Sequence, residues 1–291
     1  MDNLLIKIVR QSDGKKFEIS NFHDWVVVDN GLEGFGEVSN TLGFTDNAYT
    51  DGGIITDEHV SKKDRTIKAG YRHDNIANAK QNADSFFNIK DTYKVIVTHG
   101  LKNVFAIGKI EKYICKPVNL DNGKLELAVM FLFPNPFWKS VDDFGKNIAA
   151  LRGMIAFPYL CSISGGVQGI TGGIFNYAAK TILVNNGDTA TKCKVVITAD
   201  GEVFNPKIII NGEYVRVLDT LEADDKIEMD FEAQPPTVKK NGINWVGKCD
   251  RTSAFQSIIL ARGDNEIEYA ADNGSSHMNV TVYYNKQYEV V

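Results

Sequence analysis

The sequence predicts a mainly β fold, because several segments alternate apolar and polar residues and turn-forming pairs lie between them. KLELAVMFLF, KIEMDF and HMNVTVYY each place an apolar side chain at every second position, and this period buries one face of a β-sheet. Asn-Gly occurs six times, starting at residues 30, 122, 186, 211, 241 and 273, and the pair favours the type I′ turn of a tight hairpin. A chain of 291 residues is long for one compact domain and comfortable for two.

Three hairpins and one helix stand out within this pattern. Turn pairs at residues 13–14, 211–212 and 241–242 each separate two strand-like runs. In DNIANAKQNADSFFNI the apolar residues repeat at helical spacing, with Asp74 as the predicted N-cap. A lone amphipathic helix among strands is expected to cover a sheet face or an open barrel end.

The segment FPNPFWKS is the predicted domain boundary. Pro134 and Pro136 cannot donate ladder hydrogen bonds, so the strand that precedes them must end at Phe133. Phe137 and Trp138 then provide apolar surface for the connecting segment to bury. The predicted organisation is a first domain over residues 1–135, a linker and irregular segment over 136–180, and a β-sandwich over 181–291.

A turn is also predicted close to the C terminus. Phe255–Leu260 is expected to form one strand, Gly263–Asn265 the turn, and the run around Ile267 and Tyr269 the next strand. The turn contains Arg-Gly-Asp, a tripeptide that binds integrins when it is exposed on a loop. We interpret it here as a turn in which the glycine is the conformationally required residue.

Composition and charge narrow the class of protein. The chain is 43% hydrophobic and 24% charged, which is typical of a soluble globular protein. A net charge of −5 argues against a surface that grips nucleic acid. We expect no signal peptide and no membrane span, because no apolar run has the required length and flanks. The cysteines lack metal-site spacing and are expected to be reduced core thiols: Cys115, Cys161, Cys193 and Cys249.

No pattern of catalytic residues is found. CSISGG lacks the first glycine of a Gly-x-Ser-x-Gly elbow, SGGVQGITGG lacks the lysine of a P-loop, and the five histidines have no ligand spacing. The sequence therefore predicts no enzyme, no cofactor and no metal. Trp245 follows an Asn-Gly turn and is a candidate for stacking on a sugar ring, although packing in the protein interior is the favoured interpretation.

The order of these features resembles the distal tail proteins of long-tailed phages, the siphovirus tail-component family. The resemblance rests on TDGGIITDEHVSKKDRTIKAGY, on FPNPFWKS, on VNNGDTATKCKVVITADGEVFNPKIIINGE and on DRTSAFQSIILARGDNEIEY. The family often has proline where this chain has Arg262, a tolerable exchange at a turn. The matching positions are expected to serve turns and packing: Asp51, Gly52, Arg65, Pro136, Phe137, Trp138, Gly187, Asp188, Pro206, Gly263, Asp264 and Asn265.

This resemblance implies an N-terminal split β-barrel-like belt domain with one helix, followed by a C-terminal galectin-like β-sandwich. It further implies a ring of six copies at the end of the tail tube, acting as the hub of the tail tip. The implied partners are the tail tube protein, the tail-associated lysin or fibre protein and receptor-binding proteins. DNA would pass through the ring without specific binding.

The implied location is the virion tail tip, after synthesis in the bacterial host cytoplasm. Two alternatives stay open. One is a carbohydrate-binding β-sandwich that recognises the bacterial surface, and the other is the equivalent hub of a phage-derived bacteriocin.

Overall fold

A computed structural model describes residues 4–47, 49–119, 124–141, 148–151 and 180–291. By Cα proximity the chain divides into two units, Met1–Asp143 with Lys286–Val291, and Phe144–Asn285. The glycine-rich run SGGVQGITGG, Cys161 and the Asn-Gly pair at residue 122 lie outside the described residues. The domain ranges 1–135, 136–180 and 181–291 stay a prediction.

The first unit is built on a sheet that has nine strands among the described residues. Its strand order is β2-β1-β7-β8-β9-β6-β3, while β10 pairs with both β8 and β23. Strands β4 and β5 pair only with each other. The elements are β1 Leu5–Arg10, β2 Lys16–Ser20, β3 Trp25–Glu33, β4 Thr41–Asp46, β5 Gly53–His59, β6 Lys63–Tyr71, α1 Ile76–Phe86, β7 Thr92–His99, β8 Lys102–Asn119, β9 Lys124–Phe133, β10 Trp138–Ser140 and β23 Gln287–Tyr288.

Helix α1 covers one face of this sheet, as the sequence pattern predicts. Ala79, Ala83 and Phe86 are buried in the same core as the inward residues of the strands. The predicted cap is wrong by one residue, because the Asn75 side chain rather than that of Asp74 accepts the hydrogen bond from the Asn78 N–H. Only Asn75 lies where its side-chain oxygen reaches a free N–H of the first turn.

Arg65 is buried in the core of the first unit. Its side chain projects from β6 between two rings, with Cζ 4.8 Å from the Phe133 centroid and 4.1 Å from that of Trp138. Its Nε donates to the Gly34 carbonyl at 3.3 Å and Nη2 to that of Pro136 at 2.5 Å. Burial lowers the pKa of Arg65 to about 10. Because a buried charge is costly unless it is paired, the two rings and two carbonyls must stabilise the guanidinium.

The second unit has two main sheets among its described residues. One has the order β11-β22-β13-β18-β19-β20 and the other β12-β21-β15-β16. The strands are β11 Ile148–Leu151, β12 Lys180–Asn185, β13 Cys193–Ala199, β14 Val203–Phe204, β15 Lys207–Ile210, β16 Glu213–Arg216, β17 Thr220–Leu221, β18 Lys226–Asp230, β19 Thr237–Lys240, β20 Ile243–Asn244, β21 Gly263–Ala270 and β22 Met278–Tyr284. Buried residues of both sheets belong to one core, so the two sheets form a sandwich.

The hairpin predictions succeed where Asn-Gly lies between two short strands. At residues 211–212 and 241–242 both positions have positive φ, between 50° and 87°, as a type I′ turn requires. The pair at residue 30 behaves differently, because Asn30 lies inside β3 where the register with β6 shifts. The hairpin at residues 13–14 is also present and joins β1 to β2.

The predicted turn near the C terminus is wrong. Gly263–Asn265 begin strand β21 and pair with β12, whereas Phe255–Leu260 forms no strand and only Leu260 makes a single bridge, to Thr191. The backbone of Gly263 nevertheless has φ +88°. The strand that contains Ile267 and Tyr269 begins at Gly263, earlier than the turn-forming residues predicted.

The mainly β fold class is confirmed, with a single α-helix among the described residues. Over the residues that the structure describes, the sheet of the first unit is open and does not close into a barrel. The galectin-like character of the sandwich stays a prediction.

Replacing Arg65 with lysine should destabilise the first unit. Lysine lacks the planar fork that reaches two carbonyls while stacking on rings, so the free energy of unfolding should fall by about 2 kcal/mol. Arg72 is the matched control, since it is exposed and donates a single hydrogen bond to the Asn21 carbonyl. Arg72→Lys should change stability by less than about 0.5 kcal/mol. Equal effects of the two variants in denaturant unfolding would contradict the stabilising role of Arg65.

Replacing Gly263 with alanine should destabilise the sandwich for a backbone reason. An added Cβ meets no atom within 4 Å, but the φ of +88° is unfavourable for any residue with a side chain, at a cost of about 1–2 kcal/mol. Gly247 offers equal space without a positive φ, so Gly247→Ala should stay within about 0.5 kcal/mol of wild type. A wild-type unfolding midpoint for Gly263→Ala would show that the chain relaxes at this site.

Candidate assembly surfaces

Strands β4 and β5 form a two-stranded ribbon that carries exposed apolar side chains. Every residue of β5 is exposed, and in β4 only Gly43 is partly covered. Phe44, Ile54 and Ile55 are 65%, 62% and 55% exposed. A two-stranded hairpin is marginally stable in water by itself. The ribbon is therefore a surface on which a partner would bury apolar area.

The register divides the ribbon into two faces. Phe44 lies directly opposite Ile55, and Leu42 is two residues before Phe44 on the same strand, so these three side chains share one face. Ile54 pairs with Thr45 and lies on the other face. We call the side with Leu42, Phe44 and Ile55 the ribbon face.

The ribbon is also acidic. Asp46, Asp51, Asp57 and Glu58 are all exposed. Asp57 Oδ2 lies 3.6 Å from His59 Nδ1, and Glu58 Oε1 accepts a hydrogen bond from Asn40 Nδ2 at 2.7 Å. The turn that joins β4 to β5 contains Asp51 and Gly52, two positions of the family pattern, and Gly52 has φ +98°. These positions thus shape the turn of the ribbon.

The face of the first-unit sheet opposite α1 is a second exposed surface. On β8 it presents Ile107 and Ile114, which are 47% and 36% exposed. Lys109, Lys112 and Lys116 lie between and beyond them and are exposed. Across the register, β9 adds half-buried Ala128, Met130 and Leu132. We call this surface the outer sheet face; it carries isoleucines and lysines together with exposed Glu111 and Glu126.

A shallow depression of about 270 Å³ lies in the outer sheet face. Its volume lies near the lower end of the roughly 300–1,000 Å³ of small-molecule sites. Apolar lining comes from Val28, Ile114 and Ala128, and charged lining from Lys68, Lys116 and Glu126. Lys68 also contacts Glu33 in an ion pair.

Other family-pattern positions of the first unit lie in its core. Trp138 is completely buried and its ring packs against Phe35 and Phe133. The Pro136 carbonyl accepts from Arg65, and the N–H of half-buried Phe137 donates to Asn135 Oδ1 at 3.0 Å. Among the described residues, Nη1 of Arg65 and Nε1 of Trp138 are buried without a hydrogen-bond partner.

The family-pattern positions of the second unit support turns and the start of β21. Asn265 is fully buried and its Nδ2 donates to the carbonyls of Ala261 at 2.8 Å and Gly263 at 2.9 Å. Gly187 and Pro206 are buried, whereas Asp188 and Asp264 are exposed. A turn and packing role for these positions stays a prediction.

The side chain of Trp245 is held by packing and by one hydrogen bond. Its half-buried ring lies against the core of the second unit, and Nε1 donates to Asp219 Oδ2 at 3.0 Å. Lys240 Nζ lies 3.1 Å from the same carboxylate and 3.0 Å from Asp225. Partial burial alone would lower the pKa of Lys240, but the hydrogen bonds to Asp225 and Asp219 raise it above its ordinary value. A sugar-stacking role for Trp245 stays a prediction.

The described residues include no group of three or more His, Cys, Asp or Glu that could hold a metal ion. None of their helices is long and apolar enough to cross a membrane. Cys115, Cys193 and Cys249 are free thiols. Burial raises the pKa of all three, that of Cys249 to about 11, so these thiols are mainly protonated and unreactive near neutral pH.

Sequence reasoning missed both exposed surfaces. The ribbon was present in the family pattern only as an Asp-Gly turn, although TLGFTD and GIITDEH on its two sides contain apolar residues among polar ones. The outer sheet face could not be separated from the core, because alternation identifies two faces without saying which one is covered.

Comparison with known proteins finds one family model and several solved structures that are similar to this chain. Residues 186–288 match the family model of the siphovirus-type tail component, C-terminal domain. A solved structure of the SPP1 Dit (gp 19.1) protein, described as a paradigm of the hub adsorption apparatus in phages infecting Gram-positive bacteria, is similar in fold. It has 12% identity and a TM-score of 0.64, with 97% of this chain and 98% of that chain covered.

Chains of the phage P2 baseplate in its activated conformation are similar as well. The one solved with calcium has 10% identity, a TM-score of 0.57 and complete coverage of both chains. The one solved with strontium has 11% identity, a TM-score of 0.58 and 99% coverage of both. No curated protein sequence matches the chain. The predicted resemblance is thus confirmed: residues 186–288 match the siphovirus-type tail component, and the fold of the chain is similar to those of the SPP1 Dit protein and of chains of the phage P2 baseplate.

Proposed function

We propose that this protein is the hub of a phage tail tip, a structural protein that forms a ring of six copies at the distal end of the tail tube. The match of residues 186–288 to the siphovirus-type tail component carries the proposal. Similarity of fold over 97% of the chain to the SPP1 Dit protein supports extending it to the first unit. The family-pattern residues then serve as turn and packing positions of this scaffold, and the protein has no catalytic role.

The two exposed surfaces of the first unit fit a protein that acts by assembly. Apolar side chains on the ribbon and on the outer sheet face are exposed to water. Covering them with a partner would lower the free energy, because burial of apolar surface is favourable. The tail tube protein and the tail-associated lysin or fibre protein are the proposed partners on the two sides of the ring, and receptor-binding proteins would attach to the sandwich.

The overall charge is compatible with a passage for DNA. A protomer with a net charge of −5 brings no excess of cations to hold phosphates along a channel. We propose that DNA passes through the ring without specific binding and that the protein resides at the virion tail tip. The same hub in a phage-derived bacteriocin would need identical surfaces, so the neighbouring genes decide between the two.

Purified protein should form rings of about six copies, alone or after addition of the tail tube or tail-lysin protein. Native mass spectrometry gives the number of copies, and electron microscopy shows whether a ring with a central hole closes. The lysin and tube proteins should bind at either side of that ring in pull-down assays. A strict monomer that binds neither partner would contradict the proposal.

A further inference from the structure

We propose that the Asn273-Gly274 pair is a site of spontaneous covalent modification, at which the Asn273 side chain cyclises onto the backbone and is converted to aspartate or isoaspartate. The chain has six Asn-Gly pairs. Glycine has no Cβ, so the backbone nitrogen that follows each of these asparagines is unshielded. The structure distinguishes one pair from the others, and the inference does not depend on the proposed ring.

The reaction joins two atoms that lie close together in this pair. The N–H of Gly274 donates to Oδ1 of Asn273 at 2.9 Å, so its nitrogen lies beside Cγ, the carbon to which Oδ1 is bonded. After this nitrogen loses its proton to solvent, it bonds to Cγ and the Cγ–Nδ2 bond breaks. Nδ2 takes up a proton from solvent and leaves as ammonia, and a succinimide ring is left. Water then opens the ring at Cγ to give aspartate, or at the main-chain carbonyl to give isoaspartate.

The Asn273 amide is available for this reaction. Its side chain is exposed, and its Nδ2 donates to no group among the described residues. The backbone of Asn273 lies outside the named strands and makes one isolated bridge, to Phe204. The leaving nitrogen therefore breaks no hydrogen bond to another described residue when the ring closes.

Two other pairs hold their asparagine amides in hydrogen bonds. Asn211 Oδ1 accepts from a backbone N–H of β21 at 3.0 Å, and its Nδ2 donates to Asn265 Oδ1 at 2.8 Å. Asn241 Oδ1 accepts from the first N–H of β18 at 2.8 Å, and its Nδ2 donates to Asp225 Oδ1 at 2.7 Å. Each amide must give up these bonds before its Cγ can reach the following nitrogen, which raises the barrier to ring closure.

The backbone restrains two further pairs. In the pair that begins at residue 186, the glycine N–H donates to Asn185 Oδ1 at 3.0 Å instead of to its own neighbour. Asn30 lies inside strand β3. Of the pairs in the described part of the chain, only Asn273-Gly274 brings its side-chain carbonyl within hydrogen-bond distance of the following backbone nitrogen.

Isoaspartate at this site would lengthen the backbone between two close contacts. The Asn273 carbonyl accepts from the Phe204 N–H at 3.0 Å, and the Phe204 carbonyl accepts from the Asp272 N–H at 2.8 Å. Gly274 lies so near the Glu202 carbonyl that an added Cβ would meet its oxygen at 2.0 Å. Isoaspartate routes the chain through Cβ and Cγ and so adds one methylene group here. We expect it to loosen the bridge between β14 and the segment that precedes β22.

Ageing of the purified protein at mildly alkaline pH tests the site, because removal of the amide proton is faster there. Peptide mapping by mass spectrometry follows each Asn-Gly pair in the same sample. Conversion at Asn273 should be about tenfold or more faster than at Asn211 and Asn241, which corresponds to a difference of about 1.4 kcal/mol in activation free energy. In urea these three pairs should react at similar rates, since the folded structure no longer distinguishes them.

Two variants serve as controls. Asn273→Ser removes the reactive amide at an exposed position, and its peptide should show no conversion. Asn273→Asp carries the charge of one product without the added methylene, so the fresh variant should exchange the Phe204 N–H with solvent as fresh wild type does. Aged wild type should exchange this N–H faster than fresh wild type, whereas aged Asn273→Ser should not.

Three results would overturn the inference. In the first, Asn211 or Asn241 converts as fast as Asn273 in the folded protein. In the second, Asn273 converts in urea but stays unmodified in the folded chain, which would show that the fold protects it. In the third, aged wild type accumulates isoaspartate at this site without faster exchange at Phe204, and the expected loosening is wrong. None of these measurements depends on ring formation, so the hub proposal is tested separately.

Discussion

The first unit depends on a guanidinium that is buried without a carboxylate partner among the described residues. Arg65 lies between the rings of Phe133 and Trp138 and donates to two backbone carbonyls. Desolvation would make such a charge expensive, and the flat ring faces offset part of that cost. The proline-rich segment can therefore follow β9 only along a path that places the Pro136 carbonyl and the Trp138 ring around Arg65. Strand β10 begins at that tryptophan.

The core of the first unit lies on one side of the sheet. Helix α1, Phe35 and Trp138 all bury their apolar surface in the core on that side, and β6 and β9 contribute inward residues to it at every second position. The opposite side carries exposed isoleucines and lysines together with Glu111 and Glu126. An antiparallel sheet commonly packs one face against the core and leaves the other toward solvent, which is the arrangement of this sheet.

The sequence was sufficient to predict the elements whose signals are local. The fold class, α1 and the hairpins at residues 211 and 241 follow from period and turn chemistry. Prediction from the sequence failed where tertiary contacts determine the strand boundaries and the register. Gly263–Asn265 has turn-forming residues but joins β12 in a sheet, where buried Asn265 donates to backbone carbonyls. Asn30 has the same chemistry as Asn211, yet it shifts the register inside β3, because β6 continues alongside it.

The exposed surfaces illustrate a different limit. In β8 the alternation of Ile107 and Lys109 with buried Val104, Ala106 and Ile110 identifies two faces, but only the fold reveals that α1 covers one of them. The ribbon is harder still to predict, because within the described part of the chain β4 and β5 pair with no other strand, and their apolar residues resemble those of a core hairpin. Exposed apolar residues on a pair of strands therefore cannot be distinguished by pattern from those of a buried hairpin, and only the three-dimensional contacts separate the two.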